Sequence, residues 1–206
     1  MSLNLHYSRL HLASRSPRRR ELLTQMGVQF DTIVLRDMPR EKDVDEDSRD
    51  GEEPTAYVQR IACTKAEHGW RLVNWRRLVL QPVLAADTTL EFDGRIIGKP
   101  KDADDAERIL RLLSGNAHRV LTAVAVSFNG RMESALSISE VRFRALEPRE
   151  IRRYVATGEP MDKAGAYGIQ GRAGLFIEHL SGSYSGVMGL PLFETGQLLK
   201  RFDFPL

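Results

Sequence analysis

Cysteine and long apolar runs are scarce in this 206-residue sequence, and each scarcity excludes a class of protein. The single cysteine, Cys63, cannot form an internal disulfide, which fits a reducing compartment, and its helical apolar surroundings predict a core position. No stretch reaches the length of a membrane span, and residues 1–6 lack a basic region followed by an apolar one. We therefore expect a cytoplasmic protein with no membrane partner.

An excess of charge of either sign is also absent. The 30 Lys and Arg residues offset 28 Asp and Glu residues, and the formal net charge of +2 is too small for a general nucleic-acid binder. With 42% hydrophobic residues, no internal repeat and no clear boundary, residues 1–206 are predicted to form a single domain. Any functional charge must therefore be local, and we expect no nucleic-acid partner.

Several catalytic signatures are missing as well. There is no Walker-type loop, which argues against a P-loop ATPase, and no Gly-x-Ser-x-Gly elbow or Cys/His pair for a covalent hydrolase. The five histidines are widely spread, without a second ligand at metal spacing, so His118 is interpreted as structural.

The apolar pattern predicts an α/β fold with a mixed sheet. A strand at Leu10–Ala13, a helix from Pro17 and a strand at Phe30–Leu35 suggest a crossover unit. Asp93-Gly94 and Asn129-Gly130 tolerate the positive φ of tight turns and predict two hairpins, hence an antiparallel part of the sheet. Other predicted strands cover residues 82–86, 90–92, 95–97, 121–128, 134–144 and 175–180; other helices begin near residues 54, 102, 148 and 192, and residues 181–191 are predicted to be a loop.

The junction between the first strand and the first helix carries the clearest anion-binding signal. Ser16 can cap the helix, Pro17 suits its first position and Gly27 can end it. Free N–H groups at the helix start, with Arg18 and Arg19, would suit a phosphate. A capped helix with a solvated basic face remains the alternative.

Three further segments carry candidate functional residues, and two of them follow predicted strands. Asp87 follows the apolar strand of residues 82–86, where loops of open α/β sheets usually bind ligands; it can act as a base or help to hold a hard cation, or simply cap the strand end. Lys99 lies on the constrained loop Gly98-Lys99-Pro100 and is a candidate phosphate ligand. In the glycine-rich run of residues 162–171, Gln170 can donate to and accept from a base edge. Clustered cations, a carboxylate and an amide together indicate a nucleoside triphosphate site.

Five separated motifs resemble the Maf family, named for septum formation inhibition. They are Leu12-Ala13-Ser14-x-Ser16-Pro17-Arg18-Arg19-x-Glu21-Leu22-Leu23, Ala86-Asp87-Thr88, Gly98-Lys99-Pro100, Leu113-Ser114-Gly115 and residues 162–171, and the resemblance extends through Gly189-Leu190-Pro191-Leu192. It implies a nucleotide pyrophosphatase that cuts between the α- and β-phosphates with a divalent cation, Mg²⁺ or Mn²⁺. It also implies an extended, twisted mixed sheet flanked by helices, with two lobes around a central cleft in the Maf/ITPase-like manner, often as a homodimer.

The resemblance also assigns roles to individual residues. Members acting on dTTP and UTP carry the residues found here as Arg18, Thr88 and Gln170, whereas the 7-methyl-GTP branch typically has tryptophan and glutamine at the first two positions and a different loop. By the same resemblance, Asp87 is the proton acceptor and a candidate metal ligand. The residues that it places beside the phosphates are Ser14, Arg19, Lys65 and Lys99; without the resemblance, Lys65 would pass for an ordinary solvated lysine.

One position of the family pattern is not matched. A functional glutamate usually follows the second strand, where simple register puts Met38 in this chain. Asp37, Glu41 or Glu46 in the acidic segment of residues 36–53 can take this role, so the second metal ligand stays unassigned. Three hypotheses remain open: a dTTP/UTP pyrophosphatase, a 7-methyl-GTP pyrophosphatase, and a cell-division regulator that senses nucleotide without turnover.

Overall fold

A computed structural model describes residues 8–35 and 45–206. Within these ranges the chain forms one mixed sheet flanked by helices, as the sequence predicts. The strands are β1 (Leu10–Leu12), β2 (Phe30–Thr32), β3 (Val83–Phe92), β4 (Arg95–Ile97), β5 (Ala117–Phe128), β6 (Arg131–Phe143) and β7 (Ile177–Ser181). The helices are α1 (Pro17–Gln25), α2 (Pro54–Trp75), α3 (Ala103–Leu113), α4 (Pro148–Val155), α5 (Tyr184–Met188) and α6 (Leu192–Arg201).

The sheet has the order β2-β1-β3-β5-β6-β7, with β4 paired to part of β3. β1 runs parallel to β2 and β3, and the pairs from β3 through β5 and β6 to β7 are antiparallel. β1 pairs with β3 only at Val83 and Leu84, and β4 pairs with it only from Leu90 onward. Among the described residues, none pairs with that side of β3 between the end of β1 and the start of the β4 pairing, which leaves an unpaired edge there.

Alternate residues of β3 face different helices. Val83 and Ala85 pack in the apolar cluster of α2, while Leu84 and Ala86 pack in the cluster that includes residues of α1 and α6. Because side chains alternate along a strand, Asp87 continues the α2 side and Thr88 the α1 side. A third cluster joins α3 and α4 to the far part of the sheet.

Several predicted boundaries were wrong. Asp87 does not end a strand: it lies within β3, because Val83–Glu91 stays paired with β5 throughout. β2 ends at Thr32, the predicted loop of residues 181–191 contains α5, and residues 172–176 form a 3₁₀ helix before β7. Ser16 is at the N-cap of α1, but its side chain makes no capping hydrogen bond. Cys63 is half-buried, and burial raises the pKa of its thiol.

Among the described helices, none is long and apolar enough to cross a membrane.

His118 is buried; its Nε2 lies 2.8 Å from the Tyr167 hydroxyl, and its Nδ1 has no hydrogen-bond partner among the described residues. Burial lowers the pKa of His118 to about 4. The unfolded chain therefore binds a proton at this site between about pH 6.5 and pH 4 while the folded chain does not, so the free energy of unfolding falls as the pH is lowered through this window. This single group should contribute a loss of up to about 3 kcal/mol.

Urea unfolding at pH 7, 6, 5 and 4 measures this loss. His118→Gln cannot titrate, so its unfolding free energy should fall less steeply below pH 6.5 than that of the unsubstituted protein. Equal slopes for the two proteins would show that His118 does not carry the effect.

Candidate active site

A cleft of about 720 Å³ opens beside the unpaired edge of β3. The end of β1 and the start of α1 form one wall, and the glycine-rich segment after α4 forms the other. The cleft brings together every residue singled out from the sequence: Ser14, Arg18, Arg19, Lys65, Asp87, Thr88, Lys99 and Gln170. These residues come from five separate parts of the chain, so their convergence is a property of the fold.

Asp87 forms a close ion pair with Lys65 of α2. Lys65 Nζ donates to Asp87 Oδ1 at 2.7 Å and lies 3.0 Å from Glu46 Oε1. The side chains of Lys65 and Asp87 are only 13% and 12% exposed, whereas that of Glu46 is 55% exposed. Two carboxylates thus converge on one ammonium group, with Asp87 in the sheet and Glu46 at the mouth of the cleft.

The guanidinium of Arg19 is held in a fixed plane by three contacts. Nε donates to the carbonyl oxygen of Gly189 at 2.7 Å, Nη1 donates to Ser14 Oγ at 3.3 Å and Nη2 donates to Thr88 Oγ1 at 3.2 Å. Thr88 Oγ1 is in turn 3.0 Å from the hydroxyl of Thr122. Contacts to the described residues thus use three of the five guanidinium N–H groups of a side chain that lines the cleft.

Arg18 faces the opposite wall. Its Nη1 lies 4.0 Å from Asp162 Oδ2, and Asp162 also accepts a short hydrogen bond from Lys163. This pair spans the cleft between α1 and the glycine-rich segment, while the Arg18 side chain stays 24% exposed. Arg18 is therefore available to a ligand as well as to Asp162.

Gly165 joins the glycine-rich segment to the Lys99 loop. Its φ is +71°, and a Cβ atom there would lie 2.3 Å from Leu90 Cδ1, so only glycine fits without rearrangement. The Gly165 N–H donates to the carbonyl oxygen of Gly98 at 3.0 Å. Lys99 is thus carried on an anchored backbone, although its side chain is exposed.

Gln170 lies exposed at the rim of the cleft, on the turn closed by the Gly171 N–H and the carbonyl oxygen of Gly168 at 3.0 Å. A Cβ atom at Gly168 would be 3.3 Å from Gln170 Oε1 and 2.9 Å from Lys163 Cε. The amide of Gln170 therefore folds back over Gly168, beside the stem of Lys163.

Burial and charge both act on the cleft's titratable groups. Burial lowers the pKa of Arg19, and the negative charge of Asp87 opposes that change. Burial, followed by the charges of Asp87 and Glu46, raises the pKa of Tyr57 to about 12, so its hydroxyl stays protonated and donates to the carbonyl oxygen of Glu46 at 2.8 Å.

The described residues include Glu46, one of the three acids left open by the sequence. Asp37, Glu41 and the register position Met38 lie outside the described residues. Among residues 8–35 and 45–206, no three His, Cys, Asp or Glu side chains cluster as a metal site. Asp87 and Glu46 are thus the two described carboxylates that lie close to a common point, the Lys65 ammonium.

Sequence reasoning missed three contributors to the cleft. Tyr57 lies at the spacing of the apolar stripe of α2, Lys163 is one residue of the glycine-rich motif, and Gly189 is one residue of the motif at 189–192. Tyr57 has a polar end that an apolar stripe does not need, which was a usable signal. The Gly189 carbonyl had none, because backbone groups carry no sequence mark.

Known proteins match the chain over almost its entire length. The family model described as Maf-like protein matches residues 9–202. The chain is 62% identical over 197 residues to the dTTP/UTP pyrophosphatase of Dechloromonas aromatica, covering 95% of this chain and 98% of that protein. It is 64% identical over 201 residues to the dTTP/UTP pyrophosphatase of Aromatoleum aromaticum, covering 97% and 98%. The solved structure of the Staphylococcus aureus Ham1 protein aligns with a TM-score of 0.44 at 15% identity, covering 66% of this chain and 71% of that chain.

Proposed function

Because the chain belongs to the Maf family, we propose that it is a nucleoside triphosphate pyrophosphatase that hydrolyses dTTP and UTP to the monophosphate and pyrophosphate. The observation that carries the proposal is the meeting of Asp87 with Arg18, Thr88 and Gln170 in one cleft. The relatives named dTTP/UTP pyrophosphatase support the same substrates.

Asp87 is proposed as the base. A water molecule placed beside its carboxylate gives up a proton to Asp87 while its oxygen attacks the α-phosphorus. The bond from that phosphorus to the bridging oxygen breaks, and the bridging oxygen leaves with pyrophosphate. Lys65 orients the Asp87 carboxylate through the 2.7 Å contact.

The phosphate-side residues, Ser14, Arg19, Lys65 and Lys99, stabilise charge on the triphosphate. Arg19 does this from a plane fixed before substrate binds, so little reorganisation is needed as charge develops on the leaving group. Lys99 approaches from the other wall on its anchored loop.

A divalent cation fits the donor set of this site. Asp87 and Glu46 offer hard carboxylate oxygens, and Mg²⁺ is commonly bound by one or two carboxylates together with substrate phosphates. We therefore propose that these two residues hold Mg²⁺ or Mn²⁺ when it is present. Such an ion would neutralise phosphate charge and polarise the phosphoryl oxygens.

The pyrimidine ring of the substrate is proposed to lie against the glycine-rich segment. The Gln170 amide can both donate to and accept from the edge of uracil or thymine. Arg18 closes the same side of the cleft, and Thr88 acts through its contact with Arg19.

We further propose that the protein acts in the cytoplasm, consistent with Cys63 being its single cysteine.

A panel of triphosphates tests the function directly. The purified protein with Mg²⁺ should release pyrophosphate from dTTP, UTP and 5-methyl-UTP with higher kcat/KM than from CTP or 7-methyl-GTP. Preference for 7-methyl-GTP would move the protein to the other branch of the family. Binding of triphosphates without any pyrophosphate release would instead support a nucleotide sensor.

Replacing Gln170 should change the choice of base more than the affinity for phosphate. For Gln170→Ala, we expect kcat/KM for UTP to fall by about tenfold while that for CTP changes little, because one hydrogen-bonded base contact is lost. Inhibition by inorganic tripolyphosphate should be unchanged. An unaltered ratio of UTP to CTP turnover would argue against contact between Gln170 and the base.

A further inference from the structure

Glu159 contacts the far end of the turn that carries Gln170, and it also contacts Lys163, whose stem lies against the near end. Neither the sequence motifs nor the proposed chemistry gives it a task. It begins the short 3₁₀ helix Glu159–Asp162, directly after Gly158, whose φ is +74°. It is not among the residues that line the cleft. Its contacts nevertheless run to the glycine-rich wall rather than to solvent.

The carboxylate of Glu159 holds the far end of the turn. Oε2 accepts from the Arg172 backbone N–H at 3.2 Å, and Oε1 accepts from the Tyr154 hydroxyl at 3.0 Å. Tyr154 is buried in the cluster of α3 and α4, with its ring 5.1 Å from that of Phe176. This carboxylate therefore links the backbone just beyond Gln170 to a buried tyrosine of the core.

Gly171 shows how closely the carboxylate and the turn fit. A Cβ atom at Gly171 would lie 2.1 Å from Glu159 Oε1 and 2.6 Å from Glu159 Cδ. The φ of Gly171 is −101°, which other residues adopt readily. A side chain at this position is therefore excluded by the space that Glu159 occupies and not by the backbone conformation.

The near end of the turn is contacted by Lys163, whose ammonium group is held by the main chain of Glu159. Lys163 Nζ donates to the Glu159 carbonyl oxygen at 2.6 Å, which draws the lysine stem across Gly168. A Cβ atom at Gly168 would be 2.9 Å from Lys163 Cε and 3.3 Å from Gln170 Oε1. The stem of Lys163 and the Gln170 amide thus share the space above Gly168.

We propose that Glu159 is a positioning residue for pyrimidine recognition: its carboxylate holds the turn of residues 168–171 at its far end and so sets the place of the Gln170 amide. This inference rests on the proposed function for the identity of the base, and it deepens that function by naming what makes the base-reading amide rigid. Glu159 does not touch the substrate; it acts through the turn.

Four variants test the proposal. Glu159→Ala should raise KM for UTP by about tenfold and reduce the UTP-to-CTP preference by a similar factor, because a charge-assisted hydrogen bond to the turn is lost. kcat should stay within about twofold, and inhibition by tripolyphosphate should not change, since the phosphate-side residues are untouched. Glu159→Gln retains an acceptor, so its KM for UTP should stay close to that of the unsubstituted protein. Tyr154→Phe should shift KM in the same direction but less, and Glu178→Ala is the matched control, because Glu178 lies on β7 outside the cleft.

The steric fit allows a double-mutant cycle. As a single substitution, Gly171→Ala should raise KM, because its methyl group displaces Glu159 and the turn. In the Glu159→Ala background the same change should add nothing, because the space is vacant. Additive effects would overturn the proposal, as would an unchanged KM and base preference in Glu159→Ala. A rise in KM together with a fall in kcat and weaker tripolyphosphate inhibition would overturn it too, because that combination indicates general disruption of the site.

Two further measurements keep the outcomes separate. If Glu159→Ala does not fold, Tyr154→Phe and Gly171→Ala decide: unaltered KM in both would overturn the proposal. If the protein releases no pyrophosphate at all, the proposed function fails, and dissociation constants for UTP, CTP and tripolyphosphate from calorimetry on the same variants replace KM. A selective loss of UTP affinity still supports the positioning role, and its absence refutes it.

Discussion

Replacing Asp87 with asparagine should lower kcat for dTTP by about 1,000-fold, because the base that accepts the proton from water is lost. Asparagine has nearly the same shape, and the Lys65 ammonium keeps its other partner, Glu46, at 3.0 Å. The fold should therefore persist. Steady-state pyrophosphate release measures kcat, and thermal unfolding checks the fold.

Asp93→Asn is the matched control. Asp93 lies in the turn after β3, outside the cleft, and its positive φ of 52° is one that asparagine tolerates. Its kcat should equal that of the unsubstituted protein. If Asp87→Asn retained kcat within tenfold, Asp87 would not be the proton acceptor.

Replacing Arg19 with lysine should lower kcat/KM for dTTP by about 100-fold, although the charge is kept. A single ammonium cannot reach the Gly189 carbonyl, Ser14 and Thr88 at once while also presenting donors to phosphate. Inhibition by tripolyphosphate should weaken in parallel, because it reports on the same donors without a base.

Arg20→Lys provides the comparison for Arg19. Arg20 is the next residue of α1, exposed and outside the cleft, so its substitution should leave kcat/KM unchanged. Equal activity of Arg19→Lys and the unsubstituted protein would mean that the fixed guanidinium plane has no part in binding the triphosphate.

The mixed α/β architecture was predictable because its signals are local. The Asp93-Gly94 and Asn129-Gly130 turns define two hairpins, and α2 begins at Pro54 as predicted. Errors arose where pairing rather than composition sets the boundary. β3 continues through Asp87 because β5 pairs with it as far as Glu91, and no local signal shows where a partner strand ends.

The sequence names residues that the fold brings into one cleft, but it does not give their contacts. Resemblance selected Lys65, and the structure places it 2.7 Å from Asp87; yet a lysine at that spacing on a helix normally faces solvent. The Gly189 carbonyl and the Glu159 carboxylate became visible only through the fold, because they act on segments distant in sequence. The three neighbouring arginines also differ only because of the position of α1. Arg18 spans the cleft, Arg19 is held in place by hydrogen bonds, and Arg20 is exposed.

The most direct measurement of the central claim is hydrolysis of dTTP in ¹⁸O-labelled water with Mg²⁺, with the products analysed by mass spectrometry. We predict dTMP carrying one ¹⁸O atom together with unlabelled pyrophosphate, because water attacks the α-phosphorus beside Asp87. Label in pyrophosphate, or formation of dTDP and orthophosphate, would contradict this account.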